Sequence, residues 1–302
     1  MTLCFEKTHI QLPHTFDHLA MGEDWKNILE KLEIPEELIA YCVDHPEERA
    51  EVSEQYFTEA MNECLAWLPQ DVPETVRLAC EAVLLGTAEH HIYNKNRGRD
   101  TCNRQAAYLG VSTQHRITRI LPHLNAEDHR HLFYDAPLWC KNGMLHLHKW
   151  KSHFTGALSV VRVIKAITLT GKLCTVFMPN LFENIFGRMD LCIELPLGGL
   201  YMDIMTVNEP LNGFGINWVE IKKSGDPKHR LEFNAALSNE RYDQLWFPIK
   251  ISTGYQVEAP YDSSVTEKQV RMMRRILSQT PIRFLERLAS GKEIPPLHET
   301  RK

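Results

Sequence analysis

Four residues in the second half of the chain have the types and spacing needed to bind a divalent metal ion and hydrolyse a phosphodiester bond. Asp190 and Asp203 each interrupt an otherwise apolar segment, and Glu220 and Lys222 lie together in the segment NWVEIKKSGD. A carboxylate inside an apolar strand costs free energy unless it is paired or coordinated. Metal-dependent cleavage needs carboxylates that converge on Mg²⁺ and a lysine that orients a water and offsets phosphate charge. These four residues are therefore candidate catalytic groups.

The spacing of Glu220 and Lys222 predicts that they share one face of a β-strand. Side chains alternate between the two faces of a strand, so residues i and i+2 point to the same side. Trp218 would join them on this face, and Val219 and Ile221 would point to the opposite, buried face. An acid on a neighbouring strand would then complete a metal site beside Glu220.

The segments GRMDL and WVEIKKSGD resemble the Gly-x-x-Asp-Leu and Glu-x-Lys blocks of the PD-(D/E)xK nuclease superfamily. In motif they are most similar to its virus-type replication-repair and RecB-like branches. The resemblance covers about residues 180–258, where a helix, the acid-bearing strands, the Glu-x-Lys strand, a second helix and a last strand are expected in the family's order.

This resemblance implies a restriction-endonuclease-like α/β fold that cleaves DNA with Mg²⁺ or Mn²⁺. It implies that Asp190 and/or Asp203 hold the metal together with Glu220. Lys222 would position or activate the attacking water, and Glu183, just upstream, would supply an additional acid from a helix.

The sequence leaves open which aspartate is the first acid of the site. Asp190 lies 30 residues before Glu220, a long interval for this branch, and follows Met189, where the motif often has proline. Asp203 lies 17 residues before Glu220, a more usual hairpin spacing. In a third arrangement Asp203 is the second acid and Met205 stands where lysine belongs, which predicts an inactive site.

A second candidate site lies in RQAAYLGVSTQHRITRIL, residues 104–121, which resembles the helix-turn-helix motif of many bacterial regulators. That motif needs a small residue where two helices cross, a glycine in the turn and an apolar residue that anchors the second helix. Ala106, Gly110 and Val111 meet these needs. The same residues also fit a helical hairpin that does not bind DNA. A recognition helix formed here would present five side chains to DNA: Thr113, Gln114, His115, Arg116 and Arg119.

The elements that would position both sites follow from the spacing of apolar residues. From about residue 25 to about residue 125 these recur at i, i+3 and i+4, which predicts helices. We expect a helical region at 1–130 and a nuclease-like α/β domain with a mixed sheet at 131–302. Within the latter, helices are predicted at 228–245 and about 265–289. Short apolar runs separated by Gly, Pro and Asn predict strands in GMLHLHKW, LCTVFMP, RMDLCIELP, LYMDIMTV, INWVEIKKS and FPIKISTGYQVEAP.

The composition excludes several classes of protein. Of the 302 residues, 43% are hydrophobic and 24% charged, which is typical of a globular protein. No segment approaches the roughly 18 consecutive apolar residues of a membrane-spanning helix. With no evident secretory signal either, we expect a cytoplasmic protein without membrane contact. The eight cysteines lack paired ligand spacing, which predicts reduced thiols. The net charge of −5 restricts any contact with DNA to the basic segments 94–104 and 267–275.

Together these features predict a Mg²⁺-dependent DNA endonuclease or exonuclease. The alternative is a nuclease fold with a decayed site that binds DNA or a protein. That class includes a secreted effector whose acidic helices bind a host protein. Met205 and the net negative charge favour the alternative, and a protein partner or a homodimer is compatible with either function.

Overall fold

The computed structural model of the chain describes most of the helices and strands that the sequence predicts. The described residues are 30–32, 35–45, 48–66, 68–95, 100–139, 145–179, 184, 189–196, 198–207, 213–218, 246–254 and 259–289. They form a mixed α/β protein, with a five-stranded mixed sheet and helices on both sides of it along the chain. In this part of the chain no helix is long and apolar enough to cross a membrane.

The chain divides into two compact units. The first comprises Met1–Asp44, Glu51–Leu158 and Ala259–Asp262, and the second comprises His45–Ala50, Ser159–Glu258 and Ser263–Lys302. The main division therefore falls between Leu158 and Ser159, inside a long helix, whereas the sequence analysis placed its boundary after residue 130.

Helices account for the regular structure from residue 36 to residue 169. Among them α3 and α4 pack closely along each other. Much of α3 is buried, because small and aliphatic side chains such as Ala79, Val83 and Leu84 lie on several of its sides. The helices are α1 (Glu36–Asp44), α2 (Arg49–Cys64), α3 (Glu74–Lys95), α4 (Asp100–Ile120), α5 (Ala126–Trp139) and α6 (Leu147–Leu169), with a 3-10 turn at Leu121–His123.

The strand predicted in GMLHLHKW is wrong, because this segment leads into α6. Alternation of leucine and histidine over a few residues is too short to distinguish a strand from a helix. The decisive pattern lies further on, where Trp150, Phe154 and Leu158 recur every four residues and are fully buried. That spacing places all three on one helix face.

The second unit contains the sheet, in the strand order β1-β2-β3-β5-β4. Strands β3 and β5 are parallel, and the other neighbouring pairs are antiparallel. The strands predicted in LCTVFMP, RMDLCIELP, LYMDIMTV and FPIKISTG and the final basic helix are confirmed. Of the strand predicted in INWVEIKKS only residues 216–218 are described, and the helix predicted at 228–245 lies outside the described residues. The bounds of the strands and of the final helix are β1 (Thr175–Phe177), β2 (Leu191–Leu195), β3 (Gly198–Val207), β4 (Phe214–Trp218), β5 (Trp246–Gly254) and α7 (Glu267–Ala289).

The two faces of this sheet differ in chemistry. One face packs against α6 and α7 and forms the main core of the unit, with Leu191, Met202 and Ile251 at its centre. Residues one position away along each strand belong to the other face, because side chains alternate. That face carries a small buried cluster around Cys192 and Tyr201. It also carries the charged residues described next.

Candidate functional site

The β2–β3 hairpin brings Asp190 and Asp203 side by side. Leu191 pairs with Met202 in the antiparallel register, and the next position along the hairpin aligns Asp190 with Asp203. The backbone N–H of Asp190 donates to the carbonyl oxygen of Met202 at 2.8 Å, which ties Asp190 to β3 at the end of the strand pairing. Residues directly opposite each other in an antiparallel pair lie on the same face. The negative charge of Asp203 acts on the Asp190 carboxyl group, so the two aspartates, which the sequence left as alternatives for one acid, are neighbours.

The Asp190 carboxyl group is held in a setting that disfavours its charge. Its Oδ2 accepts a hydrogen bond from the backbone N–H of Ile204 at 2.6 Å, and its Oδ1 accepts one from the Asn184 side chain at 3.3 Å. Loss of contact with water raises the pKa of Asp190. The Ile204 bond lowers the pKa, the negative charge of Asp203 raises it, and the result is a pKa of about 7. Asp190 is therefore poised between its neutral and charged forms near neutral pH.

A lysine on the neighbouring strand completes this charged row. In the parallel register of β3 and β5, Lys250 pairs with Asp203, and its Nζ lies 3.5 Å from the Asp203 Oδ2. Both side chains are 33% exposed, so water competes with the ion pair and its net contribution to stability is small. The row therefore holds two carboxyl groups and one ammonium group, and the single cation is accessible from solvent.

Lys250 is a site residue that the sequence analysis missed. The signal was present, because Lys250 is the one charged residue in the strand sequence WFPIKISTG. The same criterion, a charge inside an apolar strand, singled out Asp190 and Asp203. Only the parallel pairing of β3 with β5 shows that all three belong together, since β5 is more than 40 residues away along the chain.

Three other predicted site residues, Glu183, Glu220 and Lys222, lie outside the described residues. Strand β4 is described as far as Trp218, which pairs with Ile249 on β5, one position from Lys250. In the described part of the chain, no group of three or more His, Cys, Asp and Glu side chains could hold a metal ion.

The Asp190–Asp203 pair nevertheless has the donor chemistry that Mg²⁺ prefers. Mg²⁺ is commonly held by one or two carboxylates, with waters and substrate phosphates as its remaining ligands. A cation beside two crowded carboxylates favours their charged forms, which the protein surroundings of Asp190 alone do not. The two carboxylates could therefore supply the part of the ligand set that a protein commonly contributes to Mg²⁺.

The predicted helix-turn-helix is wrong, because residues 104–121 contain no turn at Gly110. Helix α4 runs without interruption from Asp100 to Ile120. A Cβ atom at Gly110 would lie 3.0 Å from the His153 Cε1 and 3.1 Å from the Glu89 Oε1. The glycine therefore allows close packing of α4 against neighbouring side chains, which explains its presence in a helix interior.

The predicted recognition residues point in different directions around α4. Thr113 is fully buried, and its hydroxyl donates to the Leu109 carbonyl oxygen. Arg116 and Arg119 form ion pairs with α3, to Glu81 at 3.0 Å and to Glu74 at 2.6 Å. Both arginines therefore join helices within the protein.

Gln114 and His115 are also unsuited to reading DNA. Gln114 is packed against Gly156 on α6, where a Cβ atom would lie 2.6 Å from its Oε1. Burial, together with the positive charges of Arg116 and Arg119, lowers the pKa of His115 to about 4. The His115 Nε2 is buried with no hydrogen-bond partner among the described residues. The five residues therefore form no common exposed face.

A buried polar cluster lies where α3, α4 and α6 meet. The Glu89 carboxylate, whose side chain is only 5% exposed, lies 2.5 Å from the His153 Nε2 and 3.1 Å from the Lys149 Nζ. Burial by itself raises the pKa of Glu89. The hydrogen bond and charge of His153, together with the charge of Lys149, outweigh this and leave the pKa below its usual value.

Comparison with known proteins gave no relatives: no family model, no curated protein and no solved structure matches this chain. The chemistry available to the site is therefore inferred from its own residues. Those residues are a crowded carboxylate pair and one accessible lysine, gathered on one face of a mixed sheet.

Proposed function

We propose that the protein is a Mg²⁺-dependent nuclease whose metal site includes Asp190 and Asp203. The observation that carries the proposal is the Asp190 carboxyl group, whose pKa is raised to about 7 beside a second carboxylate. An asparagine at this position could accept the same hydrogen bond from Ile204 without the cost of a confined charge. A carboxylate at this position is explained if it binds a cation from solution.

In the proposed reaction the carboxylates and the lysine of the site have separate roles. Asp190 and Asp203 would hold the metal ion, and Mn²⁺ would serve in place of Mg²⁺. When bound, such an ion neutralises phosphate charge and makes a coordinated water more acidic. The Lys250 ammonium group, accessible beside Asp203, would offset the charge of the scissile phosphate and hold it near the carboxylates.

The proposal keeps Glu220 and Lys222 as further members of the site. A third carboxylate from Glu220 would complete the ligand set, and Glu183 would add a fourth acid. Lys222 would position the attacking water, which leaves Lys250 to contact phosphate. DNA is the proposed substrate because the predicted motif order is that of DNA-cleaving enzymes.

A cleavage assay tests the proposal. Plasmid, linear and single-stranded DNA are incubated with Mg²⁺ or Mn²⁺ and the wild-type protein, Asp190→Asn or Asp203→Asn. We expect each variant to lose at least about 100-fold in rate, since each removes a negatively charged metal ligand. Glu194→Gln is the matched control, because it removes a carboxylate from the same hairpin at the position opposite Gly199. Equal cleavage by all four proteins would reject the assignment.

A catalytically inactive nuclease fold remains the second candidate. The observation that favours it is Met205, which is 39% exposed two residues after Asp203. In the arrangement that takes Asp203 as the second acid, this is where a lysine belongs. Such a protein would bind DNA or a protein partner without cleaving, and no metal would induce cleavage by the wild type.

A further inference from the structure

Helix α7 carries a continuous row of exposed cations on the second unit. Four side chains form this basic ridge: Lys268, Arg271, Arg274 and Arg275. Lys268, Arg271 and Arg274 follow one another at intervals of three residues and Arg275 comes four residues after Arg271, so the four lie on one side of the helix. At 1.5 Å per residue the ridge is about 10 Å long. Within the described part of the chain, no ion pair with an acidic side chain neutralises it.

The opposite side of α7 fixes the direction in which the basic ridge faces. Met273, Ile276 and Leu277 are buried in the core that covers one face of the sheet. The ridge therefore faces away from the sheet. Asp190 and Asp203 belong to the other sheet face, so the basic ridge and the carboxylate pair lie on opposite sides of this unit.

The contrast in charge makes the basic ridge unusual in this protein. The chain as a whole has a net charge of −5, yet four cations gather within about two turns of α7, where Glu267, exposed one turn before Arg271, is the single acid. Gathering them on one face costs repulsion between like charges unless a polyanion is bound. Arg274 also donates a hydrogen bond to the Thr170 carbonyl oxygen at 3.4 Å, which fixes one member of the row.

We propose that the basic ridge binds the phosphate backbone of a nucleic acid at a place separate from the carboxylate pair. The choice of nucleic acid among polyanions rests on the proposed function. Successive phosphates of a DNA strand follow one another closely, so a ridge of about 10 Å is long enough to contact more than one of them. Contacts of this kind hold DNA without reading its sequence.

The position of the basic ridge determines its effect on the reaction. Duplex DNA is stiff over about 150 base pairs, so a short straight duplex cannot touch both sides of the unit at once. The ridge therefore binds a stretch of nucleic acid other than the one at the carboxylates. It raises affinity and lowers KM for long DNA, and kcat does not depend on it.

Fluorescence anisotropy with a DNA duplex of about 30 base pairs tests this inference at several salt concentrations. For Arg271→Gln/Arg275→Gln we expect binding about tenfold weaker than the wild type at low salt. The slope of log K against log salt should fall in magnitude by about 2, since each lost phosphate contact removes about 0.9. Arg130→Gln, an exposed arginine on α5 in the first unit, is the control and should change neither quantity.

The outcomes separate this inference from the proposed function. If the double variant binds like the wild type, or if Arg130→Gln weakens binding equally, the basic ridge is not the contact surface. Cleavage by the wild type would then still support the nuclease. If the ridge variant weakens binding but the wild type cleaves no DNA, the basic ridge is supported as a contact surface and the proposed nuclease activity is rejected. A change in kcat with unchanged KM would also overturn the inference.

Discussion

Each unit of the protein contains a carboxyl group with a shifted pKa, and the two pKa values are shifted in opposite directions. In the first unit Glu89 is surrounded by His153 and Lys149, and its pKa is lowered. In the second unit Asp190 lies beside another acid, Asp203, and its pKa is raised to about 7. The first arrangement supplies its own neutralising charge and is complete. In the second, Lys250 pairs with Asp203 at 3.5 Å, but no cation of the described residues offsets the charge of Asp190, so Asp190 favours either a proton or a cation from solution.

This difference separates a structural polar cluster from a candidate site. A buried acid whose charge is balanced by neighbouring cations holds helices together and needs no further ion to neutralise it. An acid with a raised pKa and an acidic neighbour stores unfavourable energy in the folded protein, which is typical of functional sites. This difference is the reason that we propose the Asp190–Asp203 pair, and not the Glu89 cluster, as the functional site.

The largest effect should come from removing the acid of the complete cluster. Glu89→Gln leaves Lys149 and His153 without their shared carboxylate, and we expect a loss of about 3 kcal/mol in the free energy of unfolding near pH 7. Because the pKa of Glu89 is lowered in the folded state, its contribution is present above the unfolded pKa and is lost as the pH falls. Urea denaturation measures this loss.

The matched control for Glu89 is Glu74→Gln. Glu74 also pairs with a cation on a neighbouring helix, at 2.6 Å from Arg119, but its side chain is 70% exposed. We expect this change to alter the free energy of unfolding by less than about 1 kcal/mol. Equal losses from the two substitutions would show that burial of Glu89 is not what gives the cluster its strength.

A smaller effect of opposite sign should follow from Asp190→Asn. Folding raises the pKa of Asp190 from 3.8 to about 7. The stability that the protonated carboxyl group contributes is therefore lost as the pH rises from about 4 to about 7 and the folded protein has to hold a negative charge. The neutral asparagine avoids this cost, so near pH 8 the variant should be more stable than the wild type by about 2 kcal/mol.

The pH dependence checks the cause of this gain. Near pH 4, where the Asp190 carboxyl group is protonated, the advantage of the variant should disappear. Thermal or urea unfolding at both pH values, in the absence of divalent ions, measures the difference. An asparagine variant that is less stable than the wild type near pH 8 would mean that the hydrogen bond from Ile204 outweighs the confined charge.

The sheet could be predicted from sequence because its strands are short apolar runs between turn residues. The two aspartates also stood out, since few charges occur in strands such as LYMDIMTV. Lys250 could not be assigned to them, because the pairing of β3 with β5 is set by long-range packing and leaves no local pattern. Sequence thus revealed the two acids of the row, but neither Lys250 nor the register that joins the three residues.

Glycine caused the main error in the first unit. Within a single sequence, Gly110 fits a turn between two helices as well as it fits a close contact in a helix interior. Only the positions of Glu89 and His153, far away along the chain, show that a side chain here would collide with them. The prediction of a DNA-reading helix followed from that ambiguity and is corrected with it.

The measurement that tests the central claim most directly is the pKa of the Asp190 carboxyl group with and without Mg²⁺, followed by ¹³C NMR of labelled aspartate. Without the ion we expect a pKa of about 7. With millimolar Mg²⁺ the pKa should fall by at least about one unit, because a bound cation favours the charged carboxylate. In Asp203→Asn the starting pKa should be lower and the response to Mg²⁺ weaker. An Asp190 pKa that does not respond to Mg²⁺ in the wild type would contradict the assignment of this pair as a metal site.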